Sequence, residues 1–234
     1  AELLASMKDE TGRVTIRGFY DDVVPLTAAE RAAIAAVPTP DERLRAELGL
    51  GWTEGGGATL TEAINLPSLN INGMRSADVG ANSRNVIPTQ ATAALDLRLV
   101  LGNTPDRQVQ RVIDHIRAQG YEVVDREPNM DERRRFARIA RVTREQGYPA
   151  ERTPLEHPFA QGLAQAMREQ GEFVLLPSLG GSLPLYLIRQ ELGAPSVTVG
   201  LWNHDNNQHA EDENIRLESL WRGIAVIADL LAAG

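Results

Sequence analysis

Hydrophobic and polar positions alternate along the first 125 residues in a way that predicts both strands and helices. Positions with a spacing of two predict strands at 13–20, 68–74, 91–101 and 121–125. Helical spacing predicts helices at 1–8, 28–37, 41–48 and 105–119. No Ser, Thr, Asp or Asn precedes the first of these helices, so we expect the chain to begin inside it. Short strands interleaved with helices predict an α+β layer, with a sheet on one side and helices on the other.

Strand and helix patterns alternate regularly after residue 150. Helices are predicted at 158–170, 184–191 and 215–232, and strands at 173–176 and 196–201. This alternation is typical of the βαβ units of a parallel sheet. We place a boundary within 147–154 and predict two domains, 1–150 and 151–234, in an overall α/β fold.

The composition narrows the classes of function. The chain has 234 residues, of which 42% are hydrophobic, so it is long enough to bury a core. Its formal net charge of −8 disfavours binding to nucleic acids or anionic membranes. The absence of cysteine excludes a Cys nucleophile and leaves His and carboxylates as ligands for a transition metal. No apolar run is long enough for a membrane span and no signal peptide is visible, so we expect a cytoplasmic protein.

Two segments of biased composition do not by themselves indicate a function. The segment 131–144 contains six arginines, from Arg133 to Arg144, which favours a solvated, ion-paired helix between the two domains over an anion site. Gly49 and Gly57 bound a glycine-rich loop that lacks the following Lys and Ser or Thr of a phosphate-binding loop.

Gly180, Gly181 and Ser182 lie at a predicted turn from strand to helix. Glycine permits a sharp turn or a close approach to a ligand, Ser182 can cap the helix, and Pro184 suits its first turn. The N–H groups of such a helix start can bind a carboxylate or an oxyanion. A plain capped helix explains the same residues equally well, and the glycine spacing is not that of a serine-hydrolase elbow.

His204 and His209 lie among carboxylates, after the strand predicted at 196–201. Ligand sites in open α/β sheets collect at the carboxyl ends of strands, and imidazole with carboxylate suits zinc or manganese. The alternative is a polar loop that caps the last helix. These two histidines alone do not complete a shell of three or four ligands.

Asn85 and Arg98 form the third candidate group. Arg98 lies on the polar face of the strand predicted at 91–101, where its guanidinium can bind a carboxylate through two donors. Asn85 in the preceding loop offers an amide donor. From residue types alone, a surface ion pair between Arg98 and Asp96 is the better explanation.

Several motifs occur in a specific order along most of the chain. They are Asn85-Val86-Ile87-Pro88, Leu95-Asp96-Leu97-Arg98, Gly180-Gly181-Ser182-Leu183-Pro184, and Asn207-Gln208-His209 with Glu213. In this order they resemble the di-zinc exopeptidases of the carnosinase, glutamate carboxypeptidase, aminoacylase and succinyl-diaminopimelate desuccinylase superfamily. Gly18-Phe19-Tyr20-Asp21-Asp22-Val23 further resembles the dipeptidase branch.

The resemblance implies a catalytic domain with two zinc ions, with manganese or cobalt as alternatives, interrupted by a lid domain. The lid of the family has a four-stranded sheet with two helices and forms the dimer. By resemblance His209 is a metal ligand, Asn85 and Arg98 bind the substrate carboxylate and its surroundings, and Gly180, Gly181 and Ser182 line the substrate pocket. The implied reaction is metal-assisted hydrolysis, in which a zinc-bound water deprotonated by a Glu base attacks the scissile amide.

The other metal ligands of the family, its Glu base and its oxyanion-stabilising His have no counterpart in this sequence. We therefore interpret the chain as the C-terminal part of a metallo-exopeptidase, with the lid and the last third of the catalytic domain. We expect no catalytic residue within it, and no activity of the isolated chain. The expected partners are a small peptide or N-acyl amino acid and a second copy of the chain. A non-catalytic dimerisation or ligand-binding module is the alternative, and metal retention distinguishes the two.

Overall fold

The computed structural model describes residues 1–38 and 41–232. They form two compact units. Unit 1 comprises 1–25 and 41–151, and unit 2 comprises 26–38 and 152–232. The segment 26–38 therefore belongs with the C-terminal residues and not with its neighbours in sequence.

The helices and strands follow the predicted pattern in most places. In chain order the helices are α1 (Glu2–Ala5), α2 (Ala28–Ala35), α3 (Asp41–Glu47), α4 (Leu60–Ala63), α5 (Pro105–Ala118), α6 (Met130–Arg135), α7 (Pro158–Gln170), α8 (Tyr186–Leu192) and α9 (Leu217–Ala232). The strands are β1 (Ser68–Arg75), β2 (Thr92–Arg98), β3 (Glu122–Val124) and β4 (Ile139–Arg141), and a 3-10 turn spans Gly80–Asn82. The predicted helices at 28–37, 41–48, 105–119, 158–170 and 215–232 are confirmed to within a few residues.

The four strands of unit 1 form two separate pairs. β1 and β2 pair antiparallel, with Ser68 opposite Arg98 and Arg75 opposite Thr92. β3 and β4 pair in parallel. A single four-stranded sheet is thus not confirmed in the described part of the chain, which has two two-stranded sheets.

The core of unit 1 joins α5 to β1 and to the first 19 residues. Val112 and Ile116 on α5 pack with Leu69 of β1 and with Met7 and Phe19, and all five are buried. Thr104 begins α5 by accepting a hydrogen bond from the backbone N–H of Arg107, and Pro105 follows it as the capping rules predict.

The strand predicted at 13–20 is wrong. Val14 forms only an isolated antiparallel bridge with Lys8, and the chain then turns, with the N–H of Phe19 bonded to the carbonyl of Ile16. Gly18 has a φ of +76°, a conformation that a strand residue does not adopt. Because Phe19 is buried alongside Ile16, this segment does not keep the two-residue alternation of a strand.

Unit 2 is built from helices in the part that the structure describes. α7 packs against α9, and small residues make the close approach possible: Ala160 and Ala164 are buried on α7, and Gly223 and Val226 on α9. A Cβ on Gly223 would lie only 3.1 Å from the Cβ of Leu201, so this glycine also lets the segment before His204 lie against α9.

A buried ion pair ties α2 to the rest of unit 2. Glu30 is 1% exposed, and its carboxylate lies 3.2 Å from Nε of Arg152. The same carboxylate accepts the N–H of Thr27 at 2.8 Å, and the Thr27 hydroxyl accepts the N–H of Glu30. This capping box therefore also supplies the partner for a buried arginine.

The strands predicted at 173–176 and 196–201 are not formed in the described residues, where unit 2 has no paired strand. The backbone N–H and carbonyl of Ser196 instead bond to the hydroxyl of Thr153, at 3.1 and 2.7 Å. The hydrophobic pattern reports burial of side chains, whereas a strand also requires a neighbouring backbone with which to pair.

The predicted helix at 131–144 is also wrong in its extent. α6 ends at Arg135, because Phe136 is extended with φ −109°, and β4 follows. The segment is ion-paired as predicted, but the pairs named here do not bridge the two domains, because each lies within unit 1. They join Arg126 to Glu132, Arg133 and Arg141 to Glu127, and Arg144 to Asp106. The described helices include none that is both long and apolar enough to cross a membrane.

Candidate functional site

Arg98 is the last residue of β2, and its guanidinium lies beside a carboxylate. Its Nε donates to Oδ2 of Asp96 at 2.7 Å, and its side chain is about half exposed. The two residues are two positions apart on a strand and therefore share one face. The ion pair expected from residue types is present, and it holds the guanidinium on the solvent side of the hairpin.

Asn85 lies in the long connection between β1 and β2. This connection, 76–91, is exposed along its length. It leaves the hairpin where Arg75 faces Thr92, whereas Arg98 lies at the opposite end of β2. At roughly 3.3 Å per residue, that end is about 20 Å away along the strand. The hairpin geometry therefore does not by itself bring Asn85 to Arg98.

Gly180, Gly181 and Ser182 do not form the predicted capped helix start. α8 begins at Tyr186, and Leu185 at the cap position has a helical φ of −64° and makes no side-chain capping bond. The N–H groups of Leu185, Leu187 and Ile188 already bond to the carbonyls of Leu183, Pro184 and Leu185. The prediction that Ser182 caps the start of a helix is therefore wrong, because α8 begins at Tyr186 without a side-chain cap. The predicted role of the three residues in substrate binding stays a prediction. The three residues lie instead on an exposed turn.

His209 lies near the tip of a loop in unit 2 that runs from Asn203 to Arg216. Its backbone is left-handed, with φ +64°, and its side chain is exposed. Its N–H donates to Oε2 of Glu213 at 3.4 Å. A non-glycine residue with positive φ is uncommon, and such conformations cluster at functional sites.

Side-chain hydrogen bonds close the base of this loop. Asn203 is 7% exposed, and its Oδ1 accepts the N–H of Arg216 at 3.0 Å while its Nδ2 donates to Oδ1 of Asp205 at 2.8 Å. The guanidinium of Arg216 donates to the other oxygen of Asp205. The amide of Asn203 and then the guanidinium of Arg216 lower the pKa of Asp205 to about 2. The contact between Asn203 and Arg216 is not predicted by any sequence motif, because the two residues are 13 positions apart.

Two of the other three histidines, His157 and His115, make hydrogen bonds within the fold. His157 begins α7, with its Nδ1 accepting the N–H of Phe159 at 3.1 Å. His115 lies 2.9 Å from the hydroxyl of Ser6, and burial lowers its pKa. His204 lies 3.9 Å from Asp205.

The residues present fit a zinc site at one ligand position. A zinc site needs three or four protein ligands, and within 1–38 and 41–232 no group of three His, Cys, Asp or Glu side chains is placed to hold a metal. His209 has the right chemistry and exposure for one ligand. The described residues do not themselves supply a complete shell around it.

The N-terminal half of the chain matches a known protein family. Residues 1–124, more than half of the chain, match the M20_dimer family model, the peptidase dimerisation domain. This chain belongs to the M20 peptidase dimerisation-domain family. The resemblance to the dipeptidase branch of the di-zinc exopeptidases is confirmed.

Relatives of known activity match beyond this domain. A Cys-Gly metallodipeptidase of Candida albicans is 23% identical over 236 residues, which cover 98% of this chain and 46% of the relative. A Beta-Ala-His dipeptidase of Rattus norvegicus is 25% identical over 234 residues, covering 97% and 44%. An M20 family metallo-carboxypeptidase from Sulfolobus solfataricus has a crystal structure that matches with a TM-score of 0.76 and 26% identity, covering 98% of this chain and 50% of that one. The chain spans about half the length of the curated relatives it matches.

Proposed function

We propose that this chain is the lid and the C-terminal part of the catalytic domain of a metal-dependent dipeptidase. The substrates are dipeptides or N-acyl amino acids with a free carboxylate, and the reaction is hydrolysis of their amide bond. The observation that carries the proposal is the match of almost the whole chain to two dipeptidases. In this proposal residues 1–150 are the lid, with β1 to β4 as its sheet strands, except for 26–38, which join 151–234 in the catalytic domain because they belong to unit 2.

In the proposed enzyme His209 supplies one ligand to a site with two zinc ions, for which manganese or cobalt are alternatives. The exposed imidazole and the left-handed backbone of His209 support this role. The other ligands and the general base lie outside this chain, so the chain by itself is inactive. A zinc ion in such a site polarises the scissile carbonyl and lowers the pKa of a bound water.

Arg98 binds the free carboxylate of the substrate in this proposal. Asp96 holds the guanidinium of Arg98, and about half of the Arg98 side chain is exposed. A guanidinium can bind a carboxylate through two parallel N–H donors, which selects for a free C-terminus over an amide. Asn85, and Gly180, Gly181 and Ser182, would contribute further contacts near that carboxylate.

The proposed assembly is a homodimer formed through unit 1. β1 pairs with β2 on one edge, and no described strand occupies its other edge. Ile71 and Met74 of β1 are 40% and 64% exposed. An edge strand with exposed apolar side chains suits pairing with a second copy of the same strand.

A second candidate is a dimerisation or small-ligand-binding module without catalysis. The lack of a three-ligand group in the described residues favours it. The two candidates differ in metal retention, since a binding module does not need stoichiometric zinc.

The proposed binding of the substrate carboxylate by Arg98 can be tested in the metal-loaded enzyme that contains this chain. We expect Arg98→Ala to raise KM for a dipeptide on the order of tenfold or more, because a charge-assisted pair to the carboxylate is lost. The C-terminal amide of the same dipeptide should react slowly in the parent and be unaffected by the substitution. Arg75→Ala, which removes an exposed arginine from the neighbouring strand, is the control. Equal losses for the acid and the amide would contradict the role of Arg98.

A further inference from the structure

The loop that carries His209 is joined at its base to α9, the longest described helix of unit 2. α9 begins directly after Arg216 and packs against α7, where Gln170 also donates to Asp229 at 2.7 Å. The segment entering the loop contacts the same helix, because Leu201 lies against Gly223. Both ends of the loop therefore contact the same helix.

Asn203 connects the two ends through a single buried amide. Its oxygen accepts the N–H of Arg216, and its nitrogen donates to Asp205 and, at 3.4 Å, to Oδ1 of Asn214. Only an amide side chain of this length offers an acceptor and two donors at once. A second link across the base is the N–H of Asn214, which donates to the carbonyl of Asn206 at 2.8 Å.

The tip of the loop has an unusual backbone. Every non-glycine residue with positive φ in the described chain lies here: Asn207, His209 and Asp212, with φ of 53°, 64° and 60°. A left-handed backbone is unfavourable for a residue with a Cβ such as His. Such a conformation persists only where the surrounding contacts determine it, and the hydrogen bonds at the loop base are the contacts that can do so.

We propose that Asn203, Asp205 and Arg216 are positioning residues that hold the His209 loop in one conformation. They fix the backbone from which the imidazole projects, so that His209 does not have to be ordered when it binds the metal. This inference rests on the proposed role of His209 in metal binding. Groups that orient a metal ligand raise affinity by removing this ordering cost.

The test is backbone dynamics of the full 234-residue chain, measured by amide hydrogen exchange and ¹H–¹⁵N heteronuclear NOE. In the parent, we expect residues 206–213 to be as ordered as α9. Asn203→Ala should speed exchange of these amides on the order of tenfold, because a buried hydrogen-bonding group is lost. Arg216→Ala should speed it about two- to fivefold, as expected for an exposed ion pair.

Two further variants separate positioning from general destabilisation. Arg216→Lys keeps the positive charge and should restore part of the order at 206–213. Arg222→Ala removes an exposed arginine from α9 and should leave the loop unchanged. Exchange of the α7 and α9 amides should stay the same in the Arg216 variants, since the helix packing does not depend on this side chain.

Three results would overturn the proposal. They are a parent loop that is already mobile, a loop that stays ordered in both Asn203→Ala and Arg216→Ala, and a gain in mobility that extends equally through α7 and α9. None of these results bears on whether His209 binds a metal. That question is answered separately, by the zinc content of His209→Ala.

Discussion

Gly102 lets two segments of unit 1 approach more closely than a side chain permits. Its φ is +98°, and a Cβ built on it would lie 1.9 Å from the carbonyl oxygen of Asp22. The neighbouring N–H of Val24 bonds to the carbonyl of Leu101 at 3.0 Å. This contact holds the dipeptidase-like segment 18–23 beside the start of α5, where Arg111 also pairs with Asp22 at 2.7 Å.

We expect Gly102→Ala to lower the free energy of unfolding by about 3 kcal/mol or more. The methyl group would overlap a backbone oxygen, in addition to the cost of a left-handed alanine. Urea unfolding followed by circular dichroism measures the change. Gly120→Ala is the control, because Gly120 also has a positive φ, +85°, but its Cβ would meet nothing within 4 Å. It should cost about 1 kcal/mol, and equal effects at both sites would contradict the close approach.

The ion pair between Arg98 and Asp96 was predictable, because it follows from residue type and strand periodicity. The roles of His209 in metal binding and of Arg98 in substrate binding stay predictions. Asn203 was not predictable, because its role depends on burial and on Arg216, which is 13 positions away. The helix start expected at Ser182 was wrong for a similar reason, since turn bonds at Leu183 to Leu185 precede it.

At the level of elements, the amphipathic helices were predictable and the strands were less so. α5 and α7 carry their own capping residues and apolar faces, so local sequence is sufficient. A strand depends on a partner elsewhere, and the predicted strands at 173–176 and 196–201 have none in the described residues. The turn at Gly18 depends on tertiary contacts, including the bond from Gln108 to the carbonyl of Phe19 at 2.9 Å.

α6 depends on one carboxylate, and this gives it a defined pH response. Glu132 accepts two hydrogen bonds from Arg126 and one from the N–H of Asn129. The guanidinium, and then the backbone N–H, lower the pKa of Glu132 from 4.5 to about 2. A lowered folded-state pKa means that the stabilisation is complete above pH 4.5 and is lost as the pH falls towards 2.

We therefore expect the helical Cα chemical shifts of Met130–Arg135 to stay constant from pH 7 down to about 4.5 and then to decay towards pH 2. Glu132→Gln should weaken α6 at neutral pH and flatten this profile, because glutamine carries no charge to pair with Arg126. Asp131→Asn is the control on the same turn. A profile that is unchanged in Glu132→Gln would show that another group controls α6.

For the whole molecule, the apolar surface indicates contacts beyond the described residues. On α9, Leu217, Trp221, Ile224 and Leu231 are between 53% and 78% exposed. Exposed apolar residues in such density are unusual for an isolated monomer and mark interaction surfaces. The proposed position of unit 2 within a larger catalytic domain explains them.

We expect the chain to sediment as a dimer, at twice its 25.6 kDa mass, and the dimer to depend on the β1 edge. Met74→Lys should raise the dimer dissociation constant by at least about tenfold, because it places a charge on each side of a symmetric contact. Analytical ultracentrifugation measures this constant. Met130→Lys is the control, since Met130 is similarly exposed at 62% but lies on α6. A loss of dimer only in the control would place the interface elsewhere.

The most direct test of the central claim is zinc per chain after dialysis, with the intact mass recorded on the same sample. The claim is that His209 of this chain is one ligand of a zinc site, and that residues outside this chain supply the other ligands. It predicts less than stoichiometric zinc in a sample whose mass matches 25.6 kDa alone. It also predicts two zinc ions when the remaining ligands are present, and loss of zinc in His209→Ala but not in His204→Ala. Two tightly held zinc ions in the 25.6 kDa chain alone, or zinc content unaffected by His209→Ala, would contradict the account.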